Sequence, residues 1–321
     1  MVRNNEVDVP EEIGFFLAPR FSSMAFFCAV EPLRVANRLA GRDLYHWKIL
    51  STDGEPVESS NGMRLVADAA LDAATAPATV IVCSGFDPTK AATKSLLAIL
   101  RRLSARRCAL GALDTGAHIL ALAGVTRGSP VVLHWEAQSA FEEAFPETPV
   151  SSELFEDDGL VFTCAGGTAA LDMMLHRIGR AHGLALATAV SEQFIHDRIR
   201  SKGDHQRMPP ARRLNIANEK VLAAISLMEA ALERPLSARI LATRAGVTPR
   251  QLERLFLGAL GVSPMRYYKT LRLTRARELL RQTDLPVLEV AIATGFSSTV
   301  VFSRCFREQF ARSPRDDRRD E

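Results

Sequence analysis

The sequence predicts an α/β domain followed by an all-α domain, on three observations. At 321 residues the chain exceeds the roughly 250–300 that a single hydrophobic core sustains. Short apolar runs alternate with helix-period segments through its first two-thirds, whereas from Ala217 onward the pattern is almost wholly helical. Charge divides near the same place: residues 212–321 hold 20 Lys/Arg against 12 Asp/Glu, net +8, which leaves −5 for residues 1–211 of the +3 total. A basic module beside an acidic one suits contact with a polyanion.

In chain order, the apolar runs at 13–17, 47–51, 80–83, 109–113 and 160–164 are predicted strands of a largely parallel sheet, covered by helices on both faces. Helical spacing at 22–39, 89–103, 116–123 and 168–180 supplies those helices, with Ser22 and Thr89 as N-caps. A long amphipathic stretch, 184–200, leads into a polar segment ending in Pro209-Pro210, which cannot continue a helix. The expected organisation is a first domain over 11–200, a linker over 201–216 and a helical domain over 217–316.

Composition excludes several classes. With 47% hydrophobic and 24% charged residues, both parts are expected to fold. No apolar run approaches the roughly 18 residues that span a bilayer, and the polar, acidic start at 1–12 is unlike a signal peptide, so a cytoplasmic protein is expected. Five scattered cysteines without a Cys-x-x-Cys pair indicate reduced thiols, with neither a disulfide framework nor a metal or cofactor motif.

Within the helical part, 236–246 reads as a short helix and tight turn, and Thr248 caps a second helix over 249–260. Leu252, Leu255 and Phe256 form its apolar stripe, leaving Arg250, Gln251, Glu253 and Arg254 outward. About fifty residues later the grammar returns: 287–294, Gly295-Phe296, a Ser297-Ser298 cap, and a helix over 299–310. That helix is expected to bury Phe302, Phe306 and Phe310 and to expose Thr299, Ser303, Arg304 and Arg307. Between the two units, 265–282 reads as a long basic helix carrying Arg266, Lys269, Arg272, Arg275 and Arg277, suited to hold them in fixed relation.

The motifs Thr248-Pro249-Arg250-Gln251-Leu252-Glu253-Arg254-Leu255-Phe256, Gly261-Val262-Ser263-Pro264, Arg275-Ala276-Arg277-Glu278-Leu279-Leu280, Gly295-Phe296-Ser297-Ser298 and Phe302-Ser303-Arg304 with Phe306-Arg307 resemble the AraC/XylS signature over 217–316. The resemblance implies a sequence-specific regulator, an activator, with double-stranded DNA and RNA polymerase as partners and two recognition helices entering successive major grooves. Arg250 and Arg254 lie one turn apart, and either fork can meet guanine O6 and N7; a phosphate or Glu253 is the alternative partner. Gln251 lies outward beside them. Arg304 carries the same expectation in the second unit, while Thr299 can contact base or phosphate. The pattern departs at Val300-Val301, which either meet thymine methyls or pack inward, and at Ala311-Arg312-Ser313-Pro314, where a glycine-containing turn is commoner.

In the first domain, Gly111-Ala112-Leu113-Asp114-Thr115-Gly116 has the small residues that a sharp strand-to-helix elbow requires two positions either side of its centre, Asp114. With Glu31, Ser84-Gly85 and Ala165-Gly166-Gly167-Thr168, this resembles the flavodoxin-like sandwich of the PfpI, class I glutamine-amidotransferase-like fold. There the elbow residue is usually a cysteine; here it is Asp114, and Cys108 lies six residues earlier, so thiol catalysis is not expected. Joined to an AraC-type module, the fold resembles the GlxA-like regulators, which include sensors of glycine betaine, carnitine and arginine-related compounds. That implies a small zwitterionic or amine effector, and a homodimer through the first domain. Asp114, with Thr115 beside it, would face the ligand cation while free N–H groups receive a carboxylate. Trp135, Phe21 or Phe86 would add aromatic faces worth roughly 0.5–2 kcal/mol each, and Glu31 and His134 would line the pocket. Each has a plain structural alternative as core, cap or satisfied carboxylate. An enzyme with Asp114 as nucleophile and His118 or His134 as base is the second reading; an architectural DNA binder without effector is the third.

Overall fold

The structure is a computed structural model that describes residues 9–126, 128–208, 210–283 and 285–319. The expectations for the acidic start before residue 9 and for Pro209 lie outside the described residues. The chain separates into two compact units, residues 1–206 and 207–321.

The first unit runs β1 (Glu11–Leu17), α1 (Ser23–Ala40), β2 (Tyr45–Ser51), the short β3 (Val57–Glu58), β4 (Arg64–Leu65) and β5 (Ala69–Ala70), then β6 (Thr79–Cys83), α2 (Pro88–Ala91), α3 (Lys94–Ala105), β7 (Ala109–Leu113), α4 (Gly116–Leu122), α5 (Gln138–Ala144), β8 (Phe155–Asp157), β9 (Val161–Cys164), α6 (Ala169–His182) and α7 (Leu184–Gln193). Seven of these strands form one sheet in the order β5-β2-β1-β6-β7-β9-β8. All neighbours in it are parallel except β8, which is antiparallel to β9. Period-two alternation divides the strands between two cores: Phe15, Leu17, Ile81 and Leu113 join α1 and α6 on one face, and Phe16, Val80, Val82 and Ala112 join α3 and α4 on the other. From β1 the chain moves first to β2 and later to β6 on the opposite side, so the carboxyl ends of β1 and β6 flank the crevice where such sheets bind ligands.

Each predicted strand is present within two residues of its expected limits. Strands β3, β4, β5 and β8 are two or three residues long, too short for any periodicity to register. Ser22 caps α1 as expected, its Oγ accepting from Ala25 N at 3.4 Å. The helix expected over 89–103 is instead two: Thr89 lies inside α2, and Thr93, extended at φ −64° and ψ 154°, caps α3 by accepting from Leu96 N at 3.2 Å. Two threonines four residues apart offered competing caps, and the later one has the longer apolar stripe behind it. The 184–200 stretch also divides. Helix α7 stops at Gln193 and Ile195 takes φ 54°, so the following segment turns back onto α6. There Asp172, fully buried, accepts from Arg200 N at 2.7 Å, from Arg200 Nε at 2.9 Å and from its terminal nitrogen at 2.6 Å, and lies 3.0 Å from His196 Nε2.

The second unit runs α8 (Pro210–Arg213), α9 (Glu219–Glu229), α10 (Ala238–Arg244), α11 (Pro249–Leu260), α12 (Pro264–Gln282), α13 (Val287–Ala293), α14 (Thr299–Phe310) and α15 (Pro314–Arg319). The pairs α10–α11 and α13–α14 are the two expected helix-turn-helix units. They are related by 49 residues through the first helix and the glycine of the turn, Gly246 at φ 69° and Gly295 at φ 73°. From the N-caps Thr248 and Ser298 the offset becomes 50, so the second turn is one residue longer.

Helix α12 ties the two helix-turn-helix units together, as expected, through specific side chains. Tyr268 is buried and donates its hydroxyl to Ala231 O at 2.5 Å. Arg272 donates to Thr294 O at 2.7 Å and to Gly295 O at 2.5 Å, with its guanidinium 4.2 Å from the Phe296 ring. Arg277 and Arg281 converge on the fully buried Asp317 of α15. Burial alone would raise that carboxyl, but the hydrogen bonds and charges of the two arginines hold it below its usual value. Several cations of this basic helix are therefore structural ties. Leu255 and Phe310, expected to be buried, are half-buried, as is Ser303, expected to be more exposed.

Candidate functional site

Asp114 follows β7 directly and has φ 61°, the left-handed conformation that a non-glycine residue adopts only where its surroundings impose it. Gly116 is required as the spacing implied, since a Cβ there would lie 2.4 Å from Val82 O; Gly166, on the loop after β9, is required as well, since a Cβ on it would lie 2.7 Å from Asp114 Oδ2. The backbone N–H of Asp114 donates to Cys164 O at 3.1 Å, tying the elbow to the end of β9. Burial pushes the Asp114 carboxyl up to about 7, against hydrogen bonds from the Ser22 hydroxyl and the Thr115 N–H, with a smaller upward push from the charge of Glu136. Ser22, read from the sequence as a cap alone, thus serves α1 and the elbow together.

The other expected residues distribute unevenly. Thr115 is buried, and its hydroxyl turns to the β6 loop, donating to Gly85 O at 2.6 Å and lying 3.1 Å from Ser84 Oγ. Phe21 is fully buried with its ring edge-on to Phe26, so its faces belong to the core. Phe86 is exposed, but Arg20 stacks 5.0 Å from its centroid while paired to Asp87 at 2.9 Å. Glu31 sits on α1 in a 2.6 Å ion pair with Arg34. His134 and Trp135 are half-buried, with their rings 5.5 Å apart. Burial lowers the His134 pKa, opposed by Glu136. The acidic neighbour at the elbow is thus Glu136, two residues beyond His134, which the sequence reading passed over.

His118, one of the two histidines read as a candidate base, packs among aromatic rings. Its ring lies edge-on to Phe141 and Phe145 at 5.7 and 5.0 Å, and burial pushes its pKa down to about 4. Cys108 lies at the opposite end of β7 from the elbow, its Sγ 3.3 Å from Pro77 O, and burial raises the thiol. Cys164, beside the elbow, is fully buried and pushed up to about 12, far from a reactive thiolate.

On the second unit, Arg250 and Arg254 of α11 are exposed. Gln251 is exposed too, but its Oε1 accepts from Thr248 N at 2.9 Å while Thr248 Oγ1 accepts from Gln251 N at 3.3 Å. This reciprocal capping box leaves the amide nitrogen as Gln251's outward group. Arg304 of α14 is exposed, 3.9 Å from Glu308, and Thr299 is half-buried beside the Ser298 cap. Val300 and Val301 point outward, 78% and 43% exposed, so they do not pack inward.

Two helix-turn-helix units in the second unit and a doubly wound sheet with an acidic elbow in the first define a DNA-binding regulator that carries an amidotransferase-like domain. Comparison with known proteins agrees. Residues 11–179 match the DJ-1/PfpI family and residues 241–320 a helix-turn-helix domain. The chain is 49% identical over 308 residues to the HTH-type transcriptional regulator CdhR of Pseudomonas aeruginosa, covering 96% of this chain and 91% of that one. It is 46% identical over 309 residues to GbdR of the same species, covering 96% and 84%. A crystal structure of an AraC family transcriptional regulator from Pseudomonas putida matches with TM-score 0.54 and 32% identity, covering 58% of this chain and all of that one. The chain belongs to this family of AraC-type transcriptional regulators with a DJ-1/PfpI domain.

Proposed function

We propose that this regulator reads its operator with α11 and α14 and is controlled by a small zwitterionic or amine metabolite bound, without turnover, at the Asp114 elbow. The observation that carries this reading is the elbow itself: a backbone held at φ 61° presents a carboxyl, in place of a thiol, at the strand-end crevice. A cationic ligand favours the ionised form of a carboxyl that otherwise titrates near neutrality. Phe21 lies in the core and Arg20 stacks on Phe86, whereas Trp135 is half-buried in the same segment as Glu136 and would offer its ring to a quaternary ammonium. Glu31 and Thr115 act in this reading through their neighbours. A homodimer through the first unit, activation through RNA polymerase and a cytoplasmic location complete the reading, supported by the AraC-type resemblance. Among the described residues no helix is long and apolar enough to cross a membrane.

A thermal-shift screen of betaines, carnitine, methylated glycines and basic amino acids tests the effector. A hit that stabilises the wild type and not Asp114→Ala, while both bind DNA equally without ligand, supports it. An unchanged response in the variant removes Asp114 from the site. Turnover of an amide, ester or halide that Asp114→Asn abolishes would establish the enzyme reading instead; the aromatic packing of His118 disfavours it as the base and leaves His134 as the candidate.

A further inference from the structure

The repeat relation shows how the two reading helices differ. With the N-caps Thr248 and Ser298 superposed, Arg250 corresponds to Val300, Gln251 to Val301 and Arg254 to Arg304. One tip offers a guanidinium and an amide; the other offers two β-branched apolar side chains to solvent. The exchange has a local cost. Val301 cannot return the hydrogen bond with which Gln251 completes a capping box, so Ser298 caps α14 alone, through Val301 N at 3.5 Å. Exposed valine also adds nothing to helix propensity.

An aliphatic side chain at the tip of a helix in the major groove cannot bond phosphate, guanine O6/N7 or an exocyclic amine. The apolar group displayed there is the C5-methyl of thymine. We propose that Val300 and Val301 are specificity-determining residues that pack on thymine methyls, while Arg304, one turn along from Val300, makes the polar contact of the same half-site. The operator then has unlike halves, polar-read under α11 and thymine-containing under α14, and is bound in one orientation. This rests on α14 reading DNA, as proposed above.

Duplexes selected from a random pool with the full-length protein provide the probe, and footprinting divides the protected site into its two halves. Each thymine of the α14 half is then replaced by deoxyuridine, which keeps base pairing and loses only the methyl. Burial of one such group is worth about 0.8 kcal/mol, so one or two positions should weaken wild-type binding about fourfold each. Val300→Ala and Val301→Ala should weaken binding to the thymine duplex similarly and become indifferent to deoxyuridine at the corresponding position. Both positions are exposed, and an unchanged melting temperature verifies the fold. Wild-type indifference to deoxyuridine, or a full deoxyuridine penalty retained by both variants, overturns the proposal. Protection of a single major groove, unaffected by Arg304→Ala, overturns the underlying reading as well.

Discussion

Replacing Asp114 by Asn should remove a pH dependence of stability that can be sized from the structure. The carboxyl titrates at about 7 in the folded protein, chiefly because burial penalises its charge, whereas an unfolded aspartate titrates near 3.9. The folded state therefore holds a proton that the unfolded state releases. That contribution to stability is complete below about pH 4 and is lost as pH rises through 7, at about 1.4 kcal/mol per pH unit. Over the whole window it amounts to at most about 4 kcal/mol, since Asp114 keeps part of its surface open to water. Asparagine is isosteric and does not titrate, so its protein lacks this slope. Urea unfolding of both proteins from pH 5 to 8.5 should show the wild type losing about 2 kcal/mol relative to the variant between pH 5 and 7, with little further change above 8. Parallel stability curves across this range would refute the burial argument and, with it, the expectation that Asp114 is poised to ionise when a cation arrives.

Asp172→Ala leaves the Arg200 guanidinium and the His196 ring without their buried acceptor, so the first unit should lose about 3–5 kcal/mol in urea unfolding. Limited proteolysis should then cut within residues 194–206; an unchanged midpoint would show that the cluster is dispensable. Arg250→Ala should weaken operator binding by about 1–3 kcal/mol and relax preference at one base position in a binding selection. An equal loss on every sequence would instead mark a phosphate contact. Ala311 ends α14 at φ 57°, where Gly261 ends α11 at φ 70°. Ala311→Gly should therefore stabilise the second unit by up to about 1 kcal/mol in thermal unfolding, the relief of left-handed strain being partly offset by a more flexible unfolded chain. Destabilisation would show that the Ala311 methyl has a packing role.

Much of the architecture was legible because it rests on interactions within about one helical turn or between alternate strand residues. The N-caps Ser22, Thr248 and Ser298 and the period-two strands β1, β6 and β7 act on near neighbours, and the elbow shows in the spacing of small residues around Asp114, although Val82, which Gly116 must clear, lies on another strand. The capping box of Thr248 and Gln251 was equally local and is spelled out by their three-residue spacing.

Tertiary structure alone decided which groups face which. Arg200 reaches Asp172 across 28 residues, and Arg272 reaches the carbonyl of Thr294 across 22. No periodicity encodes such pairs, because folding brings their elements together only after each has formed. The same holds for the aromatic residues once expected to form a ligand cage: composition identifies Phe21, Phe86 and Trp135 as able to hold a cation. Burial of the first and the Arg20 stack on the second are properties of the packed fold. By itself, then, the sequence determined a two-part regulator with an acidic elbow, since these follow from local spacing. The protonation of that elbow and the outward turn of Val300 and Val301 were left to the tertiary structure, because desolvation and exposure depend on every element packed nearby.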